Sequence, residues 1–105
     1  MMLKALFTIA LLTAGPAAAQ DNPCAMMGMM AKEIMAIRQM GGNMSDLMGP
    51  MLALENGPER SIAIAMVKDA YAQPRYTMPD FQRDAINDFQ NGVEALCYSK
   101  TGEGM

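Results

Sequence analysis

TMPDFQRDAINDFQNGVEALC, residues 77–97, is the stretch that decides the fold. Phe81, Ala85, Phe89, Val93 and Leu96 recur at steps of four, four, four and three, which places them on one face of an α-helix. Thr77 and Asp80 read as a capping box, with Pro79 tolerated in the first turn. Cys97 stands one position beyond the apolar stripe and so turns toward the margin of a core.

Working outward, the only partner for Cys97 within the chain is Cys24, because the sequence contains two cysteines. They enclose nearly everything that follows the N-terminal segment. Closing so long a loop removes about 4 kcal/mol of unfolded-state entropy on the loop-closure account. A small domain with a marginal core needs such a staple. The spacing is not Cys-x-x-Cys, the arrangement that lowers a thiol pKa for redox work, so the pair reads as structural.

The preceding segments are helical too. Pro23 to Met40 has Asn22 as a cap, Pro23 in its first turn and Gly41-Gly42 as a stop. Met27, Met30, Ile34 and Ile37 mark its expected core face. Asn43 to Asn56 reads as a short helix capped by Ser45 and kinked or broken at Gly49-Pro50, since an interior proline removes a hydrogen bond. Pro58 to Ala72 carries Ile62, Met66, Val67, Ala70 and Tyr71 along one face, and Gln73-Pro74 ends it. No segment alternates with period two. The expectation is all-α: a compact three-to-four-helix bundle whose terminal helices are joined by one disulfide, Cys24–Cys97.

The N-terminus reads as a cleavable signal peptide over 1–19. Lys4 supplies the positive charge, Ala5 to Ala14 the apolar run, and Ala17-Ala18-Ala19 the small residues before cleavage. No later stretch approaches the roughly 20 apolar residues of a spanning helix, so no membrane insertion is expected after cleavage. Residues 20–98 then form a single helical domain and 99–105, with two glycines, a frayed tail. The expected location is the periplasm or the exterior.

Charge and composition narrow the function. The chain carries −3 overall, with no basic cluster to track phosphates, which argues against nucleic acid and anionic membranes. There is no histidine, which removes Ser-His and Cys-His nucleophiles and most zinc-type sites. Asp80, Asp84 and Asp88 share a helix face; this spacing reads as a solvated acidic face, since hard-cation sites converge more oxygens from a tight loop. No catalytic constellation emerges, and the expectation is a non-enzymatic protein without a resident cofactor.

Methionine is the one oddity. Of 14 in the chain, nine fall between Met26 and Met51. Met26, Met27, Met29, Met30, Met40, Met44 and Met48 have the dense spacing that lets neutral, soft thioethers converge on Cu(I) or Ag(I). The alternatives are adaptable core packing and an adaptable docking surface. A second candidate is a small polar pocket of Arg38, Tyr71, Arg75 and Tyr76 around Pro74. Its structural counterpart has Tyr71 anchoring the core while the arginines cover exposed carbonyls or pair with acids.

The layout Cys24, Arg38, Ala70-Tyr71-x-x-Pro74, Phe81, Phe89, Cys97 resembles small exported helical proteins of uncharacterised function from bacteria and their phages. That resemblance implies a disulfide-closed helical fold and no activity. In size, helicity and single disulfide the chain is also similar to acid-stress periplasmic chaperones, whose cysteines lie closer together. The function expected is therefore an exported interaction module for an unknown protein partner. A Cu(I)/Ag(I)-binding methionine-rich protein and an acid-stress chaperone are the alternatives.

Overall fold

The computed structural model describes residues 22–101; the expected signal peptide and tail residues 102–105 lie outside them. The described residues form four helices and no strand: α1 (Pro23–Gln39), α2 (Met44–Leu52), α3 (Pro58–Ala72) and α4 (Pro79–Thr101). Helix α1 is the hub. It packs along α4 on one side and α3 on another, and α2 rests on α3. No helix among the described residues is long and apolar enough to cross a membrane.

The disulfide joins Cys24 at the start of α1 to Cys97 near the end of α4, with Cα atoms 5.5 Å apart. With the two helices packed along each other and Gln39 at the end of α1 bonded to Gln82 near the start of α4, they run antiparallel. Beside the disulfide, the Asn22 side chain accepts the Ala25 N–H (3.1 Å), capping α1 as expected, and its Nδ2 donates to the Tyr98 hydroxyl (3.0 Å). At the other end α1 stops in a Schellman turn. Gly42 N–H bonds Ile37 O (2.9 Å), Gly41 N–H bonds Arg38 O (3.1 Å), and Gly41 takes φ +88°, a conformation that suits glycine.

The core consists of Ala31, Ile34 and Met35 from α1 with Met66, Val67 and Ala70 from α3. Leu47, Met48 and Met51 of α2 and Ile86, Phe89 and Val93 of α4 close over it, each only partly buried.

Several helix faces differ from expectation. On α1 the buried positions are Cys24, Gly28, Ala31, Ile34, Met35 and Gln39, while Met30 is 41% exposed. Ile34 keeps its expected place and Met27 packs on the core, but the buried face also takes in the small Gly28 and Ala31. At Gly28 the Glu94 side chain of α4 occupies the space a Cβ would need. On α3, Ala63 is buried, whereas Ile62, expected on the core face, is 43% exposed.

Helix ends differ as well. Helix α2 starts at Met44 with Asn43 as its cap and runs through Gly49-Pro50 to Leu52. Pro50 lies in the last turn, where only two residues of helix remain after it, so it marks the approach of the end and not a break. Thr77 lies before α4, and Asp80 sits one position too early to close a capping box; it pairs with Arg83 at 2.9 Å instead. Helix α4 continues through Ser99 and Lys100 to Thr101, into the stretch expected to fray. The Ser99 hydroxyl donates to Leu96 O (2.8 Å) there.

Candidate functional site

Gln39 organises the end of the molecule opposite the disulfide. It is a fully buried polar side chain, at 1% exposure. Its Nε2 donates to Pro74 O (2.9 Å), and its Oε1 accepts the Tyr76 backbone N–H (2.8 Å). Its backbone carbonyl accepts from Arg75 Nε (3.0 Å) and from Gln82 Nε2 (3.3 Å). One residue of α1 thus holds Pro74, Arg75 and Tyr76 of the α3–α4 connection against the hub.

The four residues of the expected polar pocket all gather here. Arg38 lies over the Tyr71 ring, 5.1 Å from its centroid, and donates twice to Gln73 O (3.3 and 3.0 Å). The Tyr71 hydroxyl donates to Gly42 O (2.6 Å). Tyr76 sets its ring against Phe81, with centroids 6.1 Å apart. The arginine and tyrosine bonds run to backbone carbonyls, so the cluster works as a clasp. Its centre, Gln39, is not among the residues that motif or composition singles out. The signal was present, since Gln39 falls four residues after Met35 and continues the buried face of α1.

The clasp sets the spacing between α3 and α4, and a groove of about 700 Å³ opens between them. Its floor is Met35. Phe81, Ala85, Phe89, Val93 and Leu96 of α4 line it, with the last turn of α3, Asp69 to Gln73, as the facing wall. This is the strongest apolar stripe in the sequence, and the fold buries it only in part. Phe81 is 52% exposed and Leu96 58%. At Gly92, within the groove, a Cβ would meet nothing within 4 Å. Three carboxylates, Asp69, Asp84 and Asp88, line the groove, and no lysine or arginine does. Of the clasp residues above, Tyr76 and Gln73 also line it.

The seven candidate methionines lie in different surroundings. Met27 and Met48 pack against the core. Met40 caps the far end of α1, ten residues or about 15 Å along the axis from Met30, with Met44 beyond it. Met26, Met29 and Met30 remain exposed, at the i, i+3, i+4 spacing that makes neighbours on a helix surface. Among the described residues no group of three or more His, Cys, Asp or Glu is placed to hold a metal ion.

Comparison with known protein families, with curated proteins and with solved structures finds no match to this chain.

Proposed function

We propose that this protein is an exported, non-enzymatic binding module that docks a protein partner in the groove between α3 and α4. The observation that carries the reading is the state of the α4 stripe. Phe81, Ala85, Phe89, Val93 and Leu96 have the periodicity of a core face, yet they line an open groove. An exposed apolar surface rimmed by polar groups is characteristic of interaction sites. The groove rests on a stapled and clasped frame, which suits a preformed site. Export is supported by the Lys4, Ala5–Ala14, Ala17–Ala19 pattern and by the disulfide, which persists in oxidising compartments.

The test is binding of the neutral dye Nile red to the oxidised, folded protein. Saturable binding that disappears in Gly92→Trp, with the helical circular dichroism unchanged, is expected. Dye binding that is absent, or indifferent to Gly92→Trp, overturns the reading.

A second reading, a soft-metal binder for Cu(I) or Ag(I), is favoured by the exposed Met26, Met29 and Met30 trio. A competitive Cu(I) titration tests it. Stoichiometric binding lost in the triple Met→Leu variant supports it, and no binding removes it.

A further inference from the structure

We infer that the occupant of the α3–α4 groove is a cationic amphipathic helix of a partner protein; this rests on the docking reading above. Three observations define the occupant.

The first is shape. The α4 wall runs from Phe81 to Leu96, fifteen residues or about 22 Å, which matches roughly four turns of a second helix. Small residues, Ala85 and Gly92 on α4 and Ala72 on α3, alternate with Phe89 and Val93 along it. Gly92 leaves open space where a ridge of partner side chains would enter. Among the described residues there is no strand, so an extended peptide has no sheet edge to join. A helix presenting apolar residues at i, i+3, i+4 and i+7 fits.

The second is charge. Asp69 stands on the α3 wall and Asp84 and Asp88 on the α4 wall, all three exposed, and the lining contains no cation. Lysine or arginine flanking the apolar face of an incoming helix would meet carboxylates on both sides. An anionic lipid surface would be repelled.

The third concerns a second copy of the chain. A face-to-face dimer through this groove would be isologous, placing Asp69, Asp84 and Asp88 of each copy against the same set on the other. The chain as a whole is acidic, and no helix among the described residues carries more than two lysines or arginines. A foreign cationic helix avoids that conflict.

Fluorescence anisotropy with two synthetic helical probes of about 18 residues, enough for the groove length, tests the inference. Both carry leucine at the helical spacing above; one has lysine at the flanking positions and the other glutamate. The lysine probe should bind the oxidised protein, and the glutamate probe should bind at least roughly tenfold more weakly at low salt. Asp84→Asn with Asp88→Asn should shrink that preference about threefold or more. Gly92→Trp keeps every charge and should abolish binding of the lysine probe, which separates groove docking from diffuse attraction to an acidic protein. Equal binding of the two probes, both lost in Gly92→Trp, overturns the cationic assignment and leaves the docking reading standing. Binding that survives Gly92→Trp, or no binding of either probe, overturns both. Sedimentation that reveals a dimer dispersed by Gly92→Trp assigns the groove to a second copy and overturns the inference.

Discussion

Gln39 illustrates how much a single side chain can hold in a small domain. Its buried amide satisfies the Pro74 carbonyl and the Tyr76 N–H, which belong to a part-exposed connection. Replacing it by leucine keeps the volume and leaves both backbone groups unpaired. Gln39→Leu should therefore cost about 1–3 kcal/mol in urea denaturation, since each of the two part-buried hydrogen bonds contributes about 0.5–1.5 kcal/mol. An exposed Lys32→Gln change should stay within about 0.5 kcal/mol. Glycines at two positions should respond with opposite signs. Gly41→Ala forces a side chain into the left-handed region, where φ is +88°, and costs about 1–2 kcal/mol. Gly92→Ala adds a methyl group to open space inside a helix and should stabilise by about 0.5–1 kcal/mol. Thermal melts of the two variants check the pair. Neither Gln39 nor Gly92 stands out by composition; what distinguishes them is position on a buried face and beside a groove.

At the scale of elements, the helices themselves were legible from proline, glycine and periodicity. Pro23, Gly41-Gly42, Pro58, Gln73-Pro74 and Pro79 each mark an end within a residue or two. The faces were less legible. Periodicity points α1 toward Met27, Met30, Ile34 and Ile37; Ile34 is buried and Met27 packs on the core, but Met30 is exposed and the buried face takes in the small Gly28 and Ala31. Small residues carry little hydrophobic signal but decide how near two helices come. Gly28→Leu must displace the Glu94 side chain of α4 and should cost about 1–3 kcal/mol, measurable as a shift in denaturation midpoint at unchanged slope. Helix α4 shows the converse limit. Its stripe is easily read as core, and nothing in one helix reveals that α3 faces it with only its last turn. The groove is a property of the arrangement of three helices, and so was invisible to a reading of segments.

At the scale of the whole molecule, the architecture is a frame fastened at both ends. Cys24–Cys97 and the Asn22–Tyr98 pair close one end of α1 and α4; the Gln39 clasp closes the other. Between the fastenings α3 and α4 stand apart, and the sequence's strongest apolar stripe meets open space. Removing one fastening should weaken the frame without changing the helix content of the folded state. Cys24→Ser with Cys97→Ser should lose about 2–4 kcal/mol and lower Tm by about 10 °C or more, read by calorimetry on the oxidised parent and the variant. The pairing of the cysteines was legible in the sequence because only one partner existed. The clasp was half legible: Arg38, Tyr71, Arg75 and Tyr76 do meet, but Gln39, which holds Arg75 and Tyr76 to α1, lies on the buried face of that helix.

The central claim is that the α3–α4 groove is the docking surface. Its most direct test is a chemical-shift titration of the oxidised, ¹⁵N-labelled protein with the lysine-flanked helical probe. The account predicts perturbations that track Ala72, Gln73 and the α4 stretch from Ala85 to Leu96, leaving Met26 to Glu33 unmoved. Perturbations centred on Met26, Met29 and Met30, or scattered evenly over the acidic surface, would contradict it.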